Sequence, residues 1–268
     1  MNIFDTIFKF FINISKLINK LLENNLNKLN STNLLKIVKS NKIFIISVAI
    51  IVLFLSYLSI PNLYNKSEVI KELKKELTSK FNLNLNFPKK LDYKLFPRPH
   101  FETEETSIFF NNNEISKIKK LRIYISVKNL FSLNNINVNN IIFDGANFNL
   151  NKDNYNFFTN ILDNNFSKTS LKLINSNIFY RSTDNEVLLV NKISEMKYYF
   201  DEKNMNNLLY SDNELFNIPY SIEIFNDKDQ KKIHTKLDIN LLRILLQNQH
   251  SYKSENKSGS ANLLSNNI

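Results

Sequence analysis

His100, His234 and His250 are the three histidines of this 268-residue chain, and they stand far apart. One has acidic company. His100, Glu102 and Glu104 occupy alternate positions, which in a strand places them on one face, with Glu105 adjacent. An imidazole with two carboxylates can hold a divalent cation. No second ligand cluster backs them, and a charged strand face beside Pro99 is more simply a solvated one. Other chemistries are harder to accommodate. The chain has no cysteine, so thiol catalysis, disulfide frameworks and zinc ribbons are excluded. Gly145 and Gly259 are its two glycines, too few for a phosphate-cradling loop or for the Gly-x-Ser-x-Gly setting of a hydrolase nucleophile. The residues call for no cofactor and no metal, and a non-enzymatic role is expected.

The net charge of +10 raises the question of nucleic acid. Half of it sits in residues 1–42, where Lys9, Lys16, Lys20, Lys28, Lys36, Lys39 and Lys42 face only Asp5 and Glu23. Elsewhere Lys and Glu interleave. Only Arg98, Arg122, Arg181 and Arg243 offer the forked guanidinium best suited to phosphate. No nucleic-acid partner is expected. The abundance of Asn, Lys, Ile and Phe reads as an AT-rich coding sequence rather than a prion-like signal.

The element that dominates the reading is Ile43–Ile60, which contains no charge, glycine or proline. As a helix it would extend about 27 Å, close to the ~30 Å hydrocarbon thickness of a bilayer. Tyr57 suits the interfacial belt and Pro61 stops the helix. The basic leader of 42 residues is long for a signal peptide and no small-x-small site follows, so an uncleaved anchor is expected. Lys36, Lys39 and Lys42 crowd its N-terminal side, against Lys66 on the other, which favours a cytoplasmic N-terminus. In the leader, Ile3, Phe4, Ile7, Phe8, Phe11, Ile14, Ile18, Leu21 and Leu22 recur at helical spacing opposite Lys9, Lys16 and Lys20. This predicts an amphipathic helix lying on a membrane surface or packed on a partner.

Beyond the anchor, Ser67, Glu68, Val69, Ile70, Leu73 and Leu77 predict an amphipathic helix ending near Lys80. The apolar period then changes from about 3.6 to 2. Phe81-Leu83-Leu85-Phe87, Leu121-Ile123-Ile125-Val127, Ala146-Phe148-Leu150, Met196-Tyr198-Phe200, Ile218-Tyr220-Ile222-Ile224 and Ile233-Thr235-Leu237-Ile239-Leu241 all alternate with mostly polar residues. Such alternation predicts antiparallel strands with one covered and one wet face. Asp144-Gly145 between apolar runs predicts a tight hairpin, because both central residues of a type I′ turn need positive φ. Asn-rich stretches at 111–113, 134–140, 151–156 and 204–207 mark further turns.

The order of these features resembles the N-terminal region of the AsmA family. An anchor and a short helix precede Leu95-Phe96-Pro97-Arg98, which is similar to that family's Leu-Phe-Pro-Arg turn. Alternating strands follow, then Ile142-Phe143-Asp144-Gly145-Ala146 and Asn156-Phe157, similar to its Asp-Gly hairpin and Asn-aromatic step. Leu173–Tyr180 with Asp184 resembles its next repeat. The likeness covers roughly residues 40 to 245; glycines the family places after the first helix and near Asn154 are missing, and members are longer. It implies a mainly β fold with an N-terminal transmembrane helix: an antiparallel twisted sheet of AsmA-like repeats plus short amphipathic helices. The expected divisions are a cytoplasmic leader 1–42, a membrane helix 43–60, a periplasmic β-rich domain 62–246 and a loosely ordered tail 247–268. The resemblance further implies a bacterial inner-membrane protein contributing to outer-membrane assembly or phospholipid transport. The lipid would lie along an apolar β groove, with Ile123, Ile125, Ile218, Tyr220, Ile222 and Ile224 as candidate lipid-facing residues. The alternative is an anchored module that binds an envelope protein through a sheet edge and carries no lipid.

Overall fold

A computed structural model describes residues 42–81, 83–88, 90–128, 130–132, 136–158, 169–204, 206–227, 232–251 and 259–265. The expected amphipathic leader helix lies outside these residues. The chain divides into two units, one ending at Tyr57 and one beginning at Leu58.

Helix α1, Lys42–Ser59, coincides with the expected anchor within a residue at each end. A soluble core helix would be covered by protein, whereas Ile46, Ile50, Leu53 and Phe54 are all more than half exposed. The helix is long and apolar enough to cross a membrane. It gives way to a 3-10 turn, Ile60–Leu63, with Pro61 at its start. Asn65 then caps helix α2, Lys66–Phe81, by accepting the Ser67 N–H on its side chain at 3.0 Å. The residues spaced to form one stripe of α2, Val69, Leu73, Leu77 and Phe81, are buried.

The strands of the described residues form one sheet. Its strands are β1 Asn84–Asn86, β2 Asp92–Lys94, β3 His100–Phe110, β4 Asn113–Ile125, β5 Val138–Leu150 and β6 Ser170–Arg181. They continue as β7 Val187–Asp201, β8 Asn206–Leu215, β9 Ile218–Asp227, β10 Lys232–Ile239, β11 Ile244–Ser251 and β12 Gly259–Ser265. From β3 onward every strand pairs with its sequence neighbour, while β1 and β2 both pair with β3. Pairing is antiparallel except between β5 and β6, which run parallel, so the sheet is mixed rather than purely antiparallel. The stretch after Gln247, expected to be loose, contributes the end of β11 and the whole of β12.

The Asp144-Gly145 pair is not a hairpin. Strand β5 runs straight through it, with Asp144 opposite Lys120 and Ala146 opposite Ile118 on the same neighbour. Gly145 does take positive φ, at +68°, but inside a strand. The tight turns fall elsewhere: Asn111-Asn112 joins β3 to β4 and Phe216-Asn217 joins β8 to β9, each with both residues at positive φ.

Gly145 belongs to a seam that crosses five strands. Glu105 (φ 55°) in β3, Gly145 in β5 and Asn175 (φ 50°) in β6 lie on one transverse line, and β7 ends it with a register shift between Ile193 and Glu195. At this line each strand places two consecutive residues outward: Glu104-Glu105, Lys119-Lys120, Asp144-Gly145, Ile174-Asn175 and Ser194-Glu195. The buried positions then resume one residue out of phase, as in Phe143 to Ala146 and Leu173 to Ser176. Five strands therefore bend together and keep their apolar residues on one face.

Candidate functional site

Register identifies the residues that share this inner face. One row runs Phe101, Ile123, Ile141, Leu171, Tyr198, Leu209, Ile224, Thr235, Asn248 and Ala261 across β3 to β12. The next runs Leu121, Phe143, Leu173, Met196, Ser211, Ile222, Leu237, Leu246 and Leu263 across β4 to β12. In both rows the cover runs out. Residues up to β8 are buried, those of β9 to β11 are half-buried, and on β12 Leu263 is 65% exposed.

Helix α2 accounts for part of the covered half. Phe81 meets Tyr198 edge to face at 6.3 Å, and Lys80 donates to Asn137 Oδ1 at 2.8 Å and to the Val138 carbonyl at 3.1 Å. Phe157 closes another part, with its ring 5.7 Å from Phe110 and 5.8 Å from Phe148. Each large aliphatic side chain enclosed here contributes about 1.5–3 kcal/mol.

The six candidate lipid-facing residues therefore separate. Ile123 and Ile125 are enclosed in the core at 0% and 5% exposure, so they hold the fold together and present nothing to a ligand. Ile218, Tyr220, Ile222 and Ile224 lie on β9, where the inner face opens. They are joined by Leu237 and Ile239 on β10, which alternation places in the same layer, and by Ile244 and Leu246 on β11, which it does not single out. Tyr220 is not purely apolar. Its hydroxyl donates to Asn191 Oδ1 at 2.7 Å, and burial with Tyr180 nearby pushes its pKa up to about 12. Asn191 Nδ2 in turn donates to Asn213 Oδ1 at 3.3 Å, which also accepts from Ser211 at 2.8 Å. A hydrogen-bonded polar patch on β7 to β9 thus stands on the inner face where the cover ends.

The outer face is charged. Glu102 is the hub, accepting from Lys94 at 2.5 Å and from Arg122 at 3.3 Å, with Lys120 3.8 Å away. Arg122 reaches on to Asp144 at 3.2 Å, and Asn175 donates to the other Asp144 oxygen at 3.3 Å. Burial pushes the Glu102 carboxyl up, but the Lys94 hydrogen bond and the surrounding cations outweigh it and hold the pKa below the ordinary value. His100 Nε2 lies 4.0 Å from Glu102 Oε2, but each is engaged elsewhere. His100 Nδ1 donates to the Arg98 carbonyl at 2.8 Å, its ring stacks on Tyr124, and Glu102 is committed to cations. Among the described residues no group of three or more His, Asp or Glu side chains could hold a metal ion.

The remaining motif residues fall in a turn, in the seam and at the two ends of the apolar helix. Leu95, Phe96, Pro97 and Arg98 form the turn joining β2 to β3, with the Arg98 guanidinium 4.9 Å over the Tyr124 ring. Asp144 and Gly145 form the centre of the seam. Ile43 lies in α1 and Ile60 opens the 3-10 turn. The seam itself was legible but missed: Thr103-Glu-Glu-Thr106, Ile118-Lys-Lys-Leu121, Phe143-Asp-Gly-Ala146, Leu173-Ile-Asn-Ser176 and Ile193-Ser-Glu-Met196 repeat one pattern.

No curated protein matches this chain. A family model does: that of the AsmA family covers residues 38–244, from just before α1 to the start of β11. With most of its length, from α1 through β10, inside that match, the chain belongs to the AsmA family.

Proposed function

We propose that this protein is a non-enzymatic, membrane-anchored envelope protein that carries phospholipid acyl chains along the open part of its inner sheet face, contributing to outer-membrane assembly or phospholipid transport. In this reading α1 crosses the bacterial inner membrane, the N-terminus is cytoplasmic and the sheet is periplasmic. The observation that carries it is the fading cover along one largely apolar row: beyond Ser211, Ile222, Leu237 and Leu246 continue the row of Phe143 and Leu173 without the same enclosure. Acyl chains are a natural cover for such a surface, since exposed apolar patches of this kind are costly in water.

Photo-crosslinking in the intact chain tests it. A benzophenone amino acid at Ile222 or Leu237 is expected to capture phospholipid, identified by mass spectrometry. The same group at Glu223, one residue along and on the opposite face, is expected to capture none. Capture at neither inner position, or equally at Glu223, would sink the proposal. A second reading rests on β12, which among the described residues pairs only with β11 and whose seven residues are all exposed. Such an edge can receive a strand from an envelope protein. Stoichiometric capture of one protein along β12, with no lipid at Ile222, would favour it.

A further inference from the structure

Large exposed side chains gather where the folded unit begins. Leu63 is 84% exposed in the 3-10 turn, Phe96 is 73% exposed in the β2–β3 turn, and Phe131 is 77% exposed after β4. These segments are tied to one another. The Tyr64 hydroxyl donates to the Leu130 carbonyl, the Ile125 N–H donates to the Pro99 carbonyl at 3.2 Å, and Tyr93 donates to the Leu58 carbonyl at 2.5 Å. Leu58, the first residue of this unit, lies in the last turn of α1, so the unit follows that helix directly in the chain. Exposed Arg98 and Lys128 stand among the apolar side chains, and Arg98 is held over the Tyr124 ring at 4.9 Å.

We propose that this end of the unit is a second membrane contact, in which Leu63, Phe96 and Phe131 enter the interface of the bilayer that α1 crosses while Arg98 and Lys128 meet its anionic headgroups. The inference rests on the reading that α1 spans. Aromatic and aliphatic tips flanked by basic residues are the chemistry of an interfacial anchor, whose apolar side sinks about 5–10 Å into the headgroup and acyl boundary. Long-stemmed cations suit that depth because their charge can reach the headgroups. The contact would hold the start of the sheet against the bilayer from which lipid would be drawn.

The chain contains no tryptophan, so single replacements act as sole reporters. Full-length Phe54→Trp, Phe96→Trp, Phe131→Trp and Phe216→Trp variants are reconstituted into vesicles of phosphatidylethanolamine and phosphatidylglycerol, with and without brominated acyl chains that quench on contact. Phe54 is in α1, and Phe216 is 76% exposed in the β8–β9 turn at the opposite strand ends. The expected result is loss of emission for the Phe54, Phe96 and Phe131 variants and none for the Phe216 variant. Emission retained by the Phe96 or the Phe131 variant while the Phe54 variant is quenched overturns this contact and leaves the spanning helix standing. Emission retained by the Phe54 variant removes the spanning reading, and this inference with it. Equal quenching of the Phe216 variant overturns the confinement of the contact to this end.

Discussion

Gly145 sits at φ +68° in the middle of β5, and a Cβ added there would lie 3.0 Å from Lys119 Cβ on the facing strand. Glycine is therefore favoured twice, once by its backbone conformation and once by its neighbour. Glu105 and Asn175 hold the same conformation on the same line with side chains attached, a cost of about 1–2 kcal/mol for an ordinary L-residue. Asn bears it more easily than Glu because its short amide can bond locally, and Asn175 does bond, to Asp144. Gly145→Val combines positive φ, a β-branched side chain and the Lys119 contact, so it is expected to cost about 2–3 kcal/mol. Thermal unfolding of the full chain in detergent, followed by its β-sheet circular dichroism, checks this. Glu105→Gly is expected to leave the midpoint unchanged or raise it, because strain relief offsets the greater freedom of the unfolded chain. A midpoint for Gly145→Val equal to wild type would mean that the seam does not need glycine there.

Across the strands, the outer face is held by ion pairs whose pH dependence has a definite sign. Glu102 has its pKa lowered in the folded state, so the stability it contributes is present above its unfolded value and is lost as pH falls through the folded one. Glu102→Gln should lower the free energy of unfolding at neutral pH by on the order of 1 kcal/mol, the scale of a partly exposed ion-pair cluster. The gap to wild type should close as acid protonates Glu102. A gap that persists in strong acid would mean that packing, and not charge, is lost. The strands carrying these pairs were legible because alternation is what a half-covered strand requires: Leu121, Ile123 and Ile125 fall on β4 as expected, and Val69, Leu73 and Leu77 on α2. The Asp-Gly pair misled because positive φ serves a strand bulge as well as a turn. The feature that separates the two is the phase of the apolar residues beyond it. Phe143 and Ala146 both face inward, toward residues of the same neighbouring strand, which a turn between them would not allow. The parallel join of β5 to β6 was illegible for a different reason, since pairing direction depends on where the connecting segment takes the chain and not on either strand's own pattern. Likewise alternation identified Ile123 and Ile224 as apolar, but which of them is covered depends on elements distant in sequence, such as α2, whose Phe81 packs on Tyr198 in the row they share.

For the whole molecule, two properties follow from how charge and cover are distributed along the chain. The lysines at 36, 39 and 42 next to α1 predict a cytoplasmic N-terminus, so alkaline phosphatase fused after Ile268 should be active in cells. Green fluorescence from a cytoplasm-dependent reporter at that position would reverse the orientation. The distribution of cover predicts that the same substitution has opposite consequences at two places on one inner face. Ile123 is fully enclosed, and an aspartate there would be an unpaired buried charge with no route to water. Against a total stability of about 5–15 kcal/mol, Ile123→Asp should abolish folding. Ile222 lies on the neighbouring row five strands away, half-buried, with Leu237 and Ser211 beside it. There an aspartate can reach solvent by a change of rotamer, so Ile222→Asp should fold with a near-native midpoint. What it should lose is the ability to keep an acyl chain alongside, read as the disappearance of phospholipid crosslinking from a benzophenone placed at Leu237. Unfolding by both substitutions would make the β9 surface core like the β4 surface, and the open half of the sheet would have no ligand to hold. Persistence of the Leu237 lipid crosslink in folded Ile222→Asp would place the acyl path on a different part of the inner face, nearer Ile244 and Leu263.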